Sequence, residues 1–507
     1  MLTPSPKNSR WAADTYAAID LGSNSFRLEV ARLRAGDYKT LAYWKEPVRL
    51  GAGLDAEGRL TEAAMTRALD CLRRFGRELQ GFPAERLRAV ATQTLREAAN
   101  RDAFLLRAQE ALGHPVEVIA GREEARLIYS GVSHLQPAAH TRLVIDIGGR
   151  STELILGQGN QPLAVESFRI GSVGLSVRYF AEGRLTAEAF RAAQIAAAAE
   201  LEEALALFGR RHCQPAWLEV LGSSGTAGAV SQILEDSGHS DGRITPDGLR
   251  WCIDACIQAG SVAALRLPGL KDDRRGVVAG GLCILYTLMS LFEIDEILPA
   301  KGALRQGLVV ELDERLRARR PADDPREPTV LELQQRFAVD REQAQRVRAL
   351  GQRLHRQLDA EAAPERQLEM GWAAALHEIG MLVSHHDHHR HAQYLLAHLD
   401  APGFSQNQLR RLSQIALGQR GGLRKLEAEL RDDSLIWQVL ALRLAVIKCH
   451  ARGPIQEQHI QLRRQGRQVR VQMARGWGVQ HPQALYLLTE EAQAWAKTGL
   501  LELDIRA

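Results

Sequence analysis

Two stretches of the chain share one pattern of apolar and polar positions. In each, an aliphatic run ends in an aspartate, a cluster of small or polar residues follows, and a second β-prone run begins. The first stretch, from Ala17, reads AAIDLGSNSFRLEVARL, and the second, from Asp146, reads DIGGRSTELIL. Two such runs around a glycine-containing turn predict a β-hairpin. Because Asp20 and Asp146 hold matching positions, the pattern also predicts an internal duplication.

Helical and strand patterns alternate between the two copies. TEAAMTRALDCLRRFGRELQ at 61–80 has the periodicity of an amphipathic helix, and LRAVAT at 87–92 resembles a short strand. Each copy therefore opens a mixed α/β unit.

The pattern changes after residue 316. RARRPADDPREPTV at 317–330 is rich in proline and charge and predicts a linker. Helical periodicity continues to about residue 455, and HIQLRRQGRQVRVQM at 459–473 alternates around a glycine turn, which predicts a hairpin. We predict an α/β protein with domains at 1–138, 139–318, 319–450 and 451–507.

Bulk properties restrict the class of protein. The 507 residues are 45% hydrophobic and 25% charged, which is typical of a soluble chain with several domains. A net charge of +4 does not call for nucleic acid, and we predict no nucleic-acid partner. Residues 331–507 carry 24 Lys+Arg against 19 Asp+Glu, a bias that suits either a polyanion or an ordinary solvated helical surface.

Cysteine spacing and the apolar segments favour a cytoplasmic protein. The six cysteines show no metal or disulfide spacing, so we expect reduced thiols. Residues 1–16 have no apolar core of signal-peptide length. VVAGGLCILYTLMSLF at 277–292 is interrupted by small and polar residues and predicts a buried helix.

The residues of the duplicated turn are of the kind that binds phosphate groups. A turn of Gly, Ser and Asn brings backbone N–H groups to one point, and such a concavity binds phosphate oxygens. An aspartate at the end of the preceding strand can hold Mg²⁺ beside those phosphates. One such turn is weak evidence, but two matching turns favour a shared phosphate site.

Both turns resemble the phosphate loops of the actin-like (ribonuclease H-like) ATPase superfamily. More narrowly, the chain resembles the family of exopolyphosphatases and guanosine pentaphosphate phosphohydrolases. The motifs that carry this resemblance are AAIDLGSNSFRL, RLGAGL, ATQTLREAAN, IAGREEARLIYSGV, VIDIGGRSTEL, LGSSGTAGA and KGALRQGLVVE. It implies an α/β fold of two actin-like lobes, followed by a helical HD-like domain and a small α+β module.

The resemblance also implies roles for residues. Glu124 is expected to be the general base for water, and its neighbour Glu123 fits the family spacing less well. Asp146, Glu153 and Asp20 are expected to hold Mg²⁺. The residues expected to contact phosphate are Ser23, Asn24, Arg96, Gly148, Gly149, Ser151 and Thr152. Phosphoryl transfer needs such positioning and positive charge more than covalent chemistry.

Three features leave alternatives open. In LGSSGTAGA, Ser223, Ser224 and Thr226 suit either a phosphate contact or a helix cap. Arg150 stands where relatives usually have glycine, and it either adds a phosphate contact or points outward. Lys301 occupies a position that is often acidic in relatives, which bears on metal or substrate preference.

The segment HEIGMLVSHHDHHRH at 377–391 resembles the metal-binding motif of HD phosphohydrolases. Glu378 replaces the required aspartate, and Ala445 stands where a second one is needed, so we expect a degenerate domain without metal. Its histidines, with Arg390, Arg410 and Arg411, suit a path for a phosphate chain.

These observations predict an Mg²⁺-dependent exopolyphosphatase that hydrolyses inorganic polyphosphate processively. The alternative within the same chemistry is hydrolysis of the 5′-terminal phosphate of guanosine pentaphosphate (pppGpp). A phosphotransferase of the actin-like fold and a catalytically silent polyphosphate sensor are alternatives from other classes. The resemblance further implies a homodimer in the cytoplasm and leaves peripheral attachment to the inner membrane face open.

Overall fold

The computed structural model of the chain describes residues 11–318, 320–453 and 460–506. It divides into two compact units, residues 1–319 and 320–507. The first ten residues, Arg319 of the predicted linker, and 454–459, which include the first residue of the predicted terminal hairpin, lie outside the described residues.

The first half of the first unit opens with the predicted hairpin. The amphipathic pattern at 61–80 is a helix whose N-cap, Thr61, accepts a hydrogen bond from the Ala64 amide. The elements are β1 (Thr15–Leu21), β2 (Phe26–Arg34), β3 (Asp37–Glu46), α1 (Glu62–Glu78), β4 (Leu87–Ala91), α2 (Gln93–Glu97), α3 (Arg101–Leu112), β5 (Val116–Val118) and α4 (Gly121–Leu135).

The second half repeats this start and then adds helices. The predicted buried helix at 277–292 is confirmed, since α11 is buried along most of its length. The elements are β6 (Thr141–Ile147), β7 (Thr152–Gln158), β8 (Gln161–Phe168), α5 (Ser172–Tyr179), α6 (Ala187–Leu201), α7 (Leu205–Phe208), β9 (Glu219–Ser223), α8 (Ser224–Asp236), α9 (Pro246–Ala259), α10 (Asp272–Arg275), α11 (Val278–Phe292), β10 (Leu298–Pro299) and α12 (Leu304–Arg317).

Sheet topology confirms the predicted duplication. The strand order is β3-β2-β1-β4-β5 in the first sheet and β8-β7-β6-β9-β10 in the second. In both, the hairpin strands pair antiparallel and the next two strands add in parallel. Asp20 faces Arg27 across the first hairpin, as Asp146 faces Glu153 across the second.

Helices α4 and α12 join the two halves through one apolar cluster that also contains residues of both sheets. Their backbones are close: a Cβ on Gly307 would lie 1.8 Å from the Leu127 carbonyl oxygen, so only glycine fits there. This packing fixes the start of α4, and therefore Glu124, relative to both hairpins.

The second unit contains helices and one small sheet of order β11-β12-β13. One hydrophobic cluster runs from Val330 to Leu501, so the helices and the terminal strands share a core. The hairpin predicted near the C-terminus is confirmed within the described residues. The elements are α13 (Glu327–Arg336), α14 (Arg341–Leu358), α15 (Pro364–Ala375), α16 (His388–His398), α17 (Gln406–Gly418), α18 (Asp433–Lys448), β11 (Ile460–Gln465), β12 (Gln468–Met473), α19 (Trp477–Gln480), α20 (Pro482–Ala496) and β13 (Glu502–Arg506).

The sequence also led to expectations about the cysteines and about membrane-spanning helices. All six cysteines are buried, and no disulfide joins any two of them, in agreement with the prediction from their spacing. Among the described residues, no helix has both the length and the apolar character that a membrane crossing requires.

Candidate active site

The turns of the two hairpins, residues 22–25 and 148–151, meet in the first unit. A Cβ on Gly149 would lie 3.0 Å from the Ser23 Cβ and 3.5 Å from the Asn24 amide nitrogen. Glycine at 149 therefore allows the two turns to approach each other closely. The structure thus brings the duplicated turns to one place, which is what a shared phosphate site requires.

The carbonyl oxygens of both turns are occupied by neighbouring segments. The turn of the first hairpin is braced by the RLGAGL motif and the turn of the second by the start of α5. Because these carbonyls accept bonds elsewhere, the turns can offer donors to an anion in the cleft. The bonds are Gly51 N to Ser23 O (2.8 Å), Arg49 N to Asn24 O (2.8 Å), Ser172 N to Gly148 O (3.0 Å) and Val173 N to Gly149 O (2.8 Å).

Four buried carboxylates converge on this region. Asp20 and Asp146 lie near the ends of β1 and β6, Glu153 lies opposite Asp146 on β7, and Glu124 lies in the first turn of α4. Two like charges directly opposite each other on a hairpin are unfavourable unless a cation offsets them. The cluster is therefore arranged for a cation or for a proton.

Glu124 is held by Arg96. The guanidinium Nη1 of Arg96 donates to Glu124 Oε2 at 2.7 Å and also to the Ile119 carbonyl oxygen at 3.0 Å. Burial raises the pKa of Glu124 to about 7, Arg96 opposes that rise, and Asp20 and Asp146 add to it. A carboxylate with its pKa near neutrality is suited to accept a proton from water at physiological pH.

Glu123 points elsewhere. Both of its oxygens accept from Arg126, at 2.7 and 2.8 Å, and Arg126 also pairs with Glu311 of α12. Glu123 does not line the cleft, whereas Glu124 does. The geometry distinguishes the two adjacent glutamates as the family spacing does.

Two carboxylates near Glu124, those of Asp146 and Glu153, also have raised pKa values. Burial raises the pKa of Asp146, although the adjacent Ser224 and Ser223 side chains counteract it. Burial, Glu124 and Asp146 raise the pKa of Glu153, whose Oε1 accepts from Ser167 at 2.8 Å. Within the described residues, no three His, Cys, Asp or Glu side chains are grouped as a ready metal-binding set. A site with one or two carboxylates is still what Mg²⁺ needs when phosphates and waters supply its other ligands.

Three arginines at the cleft were not assigned from the sequence: Arg27, Arg274 and Arg305. Arg27 lies 3.4 Å and Arg305 3.8 Å from Asp20 Oδ2. The matching repeats could have revealed Arg27, because it faces Asp20 as Glu153 faces Asp146. Arg274 comes from α10, which no motif marked.

Several buried donors near the cleft have no hydrogen-bond partner among the described residues: Asn24 Nδ2, Ser25 Oγ, Arg96 Nη2 and Arg305 Nη1. A buried donor left unpaired costs about 1–3 kcal/mol. Unpaired donors of this kind fit a ligand rich in acceptor oxygens, such as a phosphate chain.

Several predicted residues lie in the cleft wall: Asp20, Ser23, Asn24, Glu124, Asp146, Gly148, Gly149, Ser151 and Ser224. Others lie behind it. The Thr152 hydroxyl donates to the Ile170 carbonyl oxygen at 2.6 Å, and the Ser223 hydroxyl donates to the Gly302 carbonyl oxygen at 3.0 Å. Ser223 is the N-cap of α8 but makes no side-chain capping bond, so the structure does not use its hydroxyl as a helix cap.

Ser224, Thr226 and Arg150, for which the sequence left alternatives open, also bond to other parts of the protein. The Ser224 and Thr226 hydroxyls both donate to the Ile147 carbonyl oxygen, at 3.1 and 2.8 Å. Arg150 neither lines the cleft nor points outward, because its guanidinium pairs with Glu97 at 2.8 Å.

A second, basic pocket adjoins the cleft and shares Arg27, Arg274 and Arg305 with it. Lys45 lines it and pairs with Asp273 at 2.6 Å. In the part of the chain that the structure describes, Lys271, Arg274 and Lys301 line the pocket without an ion pair of their own. The ring of Tyr43, 48% exposed, lies under the Arg305 guanidinium at 5.2 Å.

The histidine-rich segment lies in the second unit. His377, His388 and His389 are buried, and burial lowers the pKa of each to about 4, so they are neutral at pH 7. Arg411 is buried and pairs with Asp432 at 2.5 Å. It therefore does not lie on a surface that a phosphate chain could follow, contrary to the prediction for that residue.

Comparison with known proteins shows the protein family to which the chain belongs. The family model "Ppx/GppA phosphatase family" matches residues 29–316, and "Ppx/GppA phosphatase, domain III" matches residues 326–492. The chain belongs to the Ppx/GppA phosphatase family. The predicted family is confirmed, and so is the prediction of a hydrolase that acts on phosphoric anhydrides.

Two curated relatives cover nearly the whole chain. Both are named guanosine-5′-triphosphate,3′-diphosphate pyrophosphatase. The protein of Vibrio vulnificus is 38% identical over 489 residues, which is 96% of this chain and 97% of the relative. The protein of Photobacterium profundum is 37% identical over 488 residues, 96% of each chain.

Solved structures match more than half of the chain. An exopolyphosphatase from Cytophaga hutchinsonii has a TM-score of 0.53 at 26% identity, covering 59% of this chain and 98% of that chain. The Aquifex aeolicus member of the Ppx/GppA family has a TM-score of 0.50 at 26% identity, with coverages of 60% and 99%. These similarities confirm the predicted α/β actin-like fold.

Proposed function

We propose that this Ppx/GppA phosphatase hydrolyses the 5′-terminal phosphate of pppGpp. Water attacks the terminal phosphorus, the anhydride bond to the next phosphate breaks, and the products are orthophosphate and guanosine 5′-diphosphate 3′-diphosphate. The names of the two full-length relatives support this choice over polyphosphate.

The basic pocket beside the cleft is the structural observation that favours pppGpp over polyphosphate as the substrate. A substrate with a 5′-triphosphate and a 3′-diphosphate has two separate anionic groups joined by a nucleoside. The cationic surface of the cleft continues into the adjoining pocket, where Lys271 and Lys301 add positive charge that the cleft itself does not have. Tyr43 adds an exposed ring on which a base can stack, and a polyphosphate chain has no group that uses such a ring.

The residues that line the cleft, together with Arg96, which bonds to Glu124, have defined tasks in this reaction. Glu124 accepts a proton from the attacking water as the P–O bond forms. The turn residues Ser23, Asn24, Gly148, Gly149 and Ser151 position the terminal phosphates by donating hydrogen bonds to their oxygens. Arg96 keeps the Glu124 carboxylate in place and offsets charge that develops on the phosphoryl oxygens.

Mg²⁺ is the cofactor that we propose for this site. Asp146 and Glu153, with Asp20, are the carboxylates that would hold it. When bound, the ion neutralises negative charge on the phosphates. Two observations support a cation here: the cross-strand pairing of Asp146 with Glu153, and the burial of both side chains.

Hydrolysis of polyphosphate is the weaker candidate. The two relatives that match nearly the whole chain are named guanosine-5′-triphosphate,3′-diphosphate pyrophosphatase. The relative named exopolyphosphatase is a solved structure whose match covers 59% of this chain. Homodimer formation, processivity and cytoplasmic location stay predictions of the family resemblance.

The test is product analysis. Purified protein is incubated with pppGpp, with Mg²⁺ or with a chelator, and the nucleotides are separated by ion-exchange chromatography. We expect equal amounts of orthophosphate and guanosine tetraphosphate, formed only with the metal. Release of pyrophosphate, or no release from the nucleotide, would contradict the proposal.

A further inference from the structure

Arg150, in the turn of the second hairpin, reaches across to the first half of the unit. Its Nε donates to Glu97 Oε2 at 2.9 Å, its Nη2 approaches the same oxygen at 2.8 Å, and its Nη1 donates to the Gly51 carbonyl oxygen at 3.3 Å. Glu97 is the last residue of α2, and Gly51 donates its amide to the Ser23 carbonyl oxygen. Arg150 therefore ties the turn of the second hairpin to the segments that brace the first.

From Glu97 a chain of hydrogen bonds leads to the proposed base. Gln93 Nε2 donates to Glu97 Oε1 at 2.6 Å, and Arg96 Nε donates to Gln93 Oε1 at 2.8 Å. Arg96 Nη1 then donates to Glu124 Oε2 at 2.7 Å. The order along this chain, which we call the Arg150 relay, is Arg150, Glu97, Gln93, Arg96 and Glu124.

The relay fixes the orientation of the Gln93 amide and of the Arg96 guanidinium, as well as the distances between them. A carboxylate only accepts, so Glu97 obliges the Gln93 amide to present its NH₂ group, and the Gln93 oxygen is then left for Arg96. Turning this amide over would break both bonds. The Arg96 guanidinium is thereby held in the orientation in which Nη1 meets Glu124.

We propose that Arg150 is a positioning residue for hydrolysis, which acts through Glu97 and Gln93 to hold the Arg96 guanidinium against Glu124. The proposal rests on the proposed function and assigns a role to a side chain that the motif comparison left open. The charge of Arg150 also contributes, because its guanidinium forms an ion pair with the Glu97 carboxylate. Without it, the partly exposed Glu97 carboxylate competes with Glu124 for Arg96.

A direct phosphate contact is the other role for an arginine in this turn. The structure disfavours it, because Nε, Nη1 and Nη2 of Arg150 each already face a protein oxygen. The two roles have different kinetic consequences. Loss of a direct contact weakens substrate binding, whereas loss of positioning slows the chemical step while binding stays intact.

The test uses Arg150→Ala, Gln93→Ala and the double variant in the full chain, with Arg107→Ala as a matched control. Arg107 also pairs with a glutamate, Glu62, in the first half of this unit, and none of the described relay bonds involves it. Steady-state orthophosphate release from pppGpp gives kcat and KM, and thermal unfolding gives Tm.

We expect Arg150→Ala to lower kcat about tenfold, with KM within about twofold of wild type. Gln93→Ala should cause a similar loss, and the double variant should be no slower than the slower single variant, because both act through one relay. Arg107→Ala should leave both constants unchanged, and Tm should differ by no more than about 2 °C between Arg150→Ala and Arg107→Ala.

Three results would overturn the proposal: a raised KM at unchanged kcat, losses that multiply in the double variant, or an unchanged kcat in Arg150→Ala. If wild-type protein releases orthophosphate from long-chain polyphosphate but not from pppGpp, the same variants are measured with polyphosphate. In that case the proposed substrate fails while the relay is still tested. If the wild type releases orthophosphate from neither substrate, both the proposed function and the relay's role in hydrolysis fail.

Discussion

Arg96 donates to the Glu124 carboxylate at 2.7 Å, while Glu123, the preceding residue, is directed away from the cleft toward Arg126. Successive residues of a helix lie on different faces. The REEAR sequence therefore places one glutamate at the phosphate turns and the other in an ion-pair network with α12. This separation gives the adjacent acids different expected effects when they are altered.

Replacing Glu124 by glutamine should remove the base and leave the fold intact. We expect kcat to fall by about 10²–10⁴-fold, because general-base catalysis contributes that much, with substrate binding retained. The matched control is Glu123→Gln, which should keep kcat near wild type and lower the free energy of unfolding by about 1–3 kcal/mol. Equal activity losses in the two variants would contradict the assignment.

The pH dependence of kcat/KM should report the base. Burial raises the pKa of Glu124 to about 7, so the reactive carboxylate is lost as pH falls through that region. Arg96 lowers this pKa, so Arg96→Ala should move the acid limb of the profile to higher pH. A limb that moves to lower pH in Arg96→Ala, or a flat profile between about pH 5 and about pH 9, would contradict the role of Glu124.

Gly149→Ala should separate the two phosphate turns. The new Cβ would lie 3.0 Å from the Ser23 Cβ and 3.2 Å from Val173 Cγ2, so the turns must shift. We expect kcat/KM to fall by about tenfold or more. Gly174→Ala is the control, since its Cβ would meet nothing within 4 Å and alanine favours the helix. Equal activity of the two variants would show that the turns need not touch.

Lys301→Asp tests the basic pocket. We expect kcat/KM for pppGpp to fall about tenfold, equivalent to about 1.4 kcal/mol of transition-state binding, with little change for tripolyphosphate. Lys39→Asp makes the same change in charge on β3 outside this pocket and should have no effect. Equal losses for both substrates in Lys301→Asp would remove the argument for a second anionic group.

The shared core of the second unit predicts that its terminal strands are not independent of the helices. Arg443 of α18 and Glu491 of α20 are buried and joined by two bonds of 2.5 and 2.6 Å. Glu491→Gln leaves a buried charge without its partner, so we expect a loss of about 3–5 kcal/mol in urea unfolding. Asp504→Asn removes the exposed pair with Arg470 and serves as the control. A separate unfolding transition for the terminal strands would contradict the shared core.

The duplicated hairpins, Asp20, Asp146 and the fold class were predictable because they are encoded in short, repeated motifs. The role of Glu124 stays a prediction from the family motif, and the structure adds that Glu124 lines the cleft whereas Glu123 pairs with Arg126. Arg27 was within reach of the same reasoning, since it occupies in the first repeat the place that Glu153 occupies in the second.

Other features depend on contacts between distant segments. Arg274 reaches the cleft from α10, and Arg150 finds Glu97 in the opposite half, so neither contact follows from spacing along the chain. Thr152 belongs to a sequence typical of a phosphate-binding turn, but its hydroxyl donates to the Ile170 carbonyl oxygen. The shared core of the second unit also brings together residues far apart in the sequence, such as Leu435 and Trp495, and no local pattern reveals that packing.

We expect the cationic surface that runs from the cleft into the adjoining basic pocket to select a guanosine substrate with two phosphate groups. The most direct test is a competition between pppGpp and long-chain polyphosphate, at matched concentrations of terminal phosphate with Mg²⁺, in which orthophosphate from each is measured separately by isotope label. We predict the higher kcat/KM for pppGpp. A higher value for polyphosphate would contradict the account and assign the basic pocket to a phosphate chain.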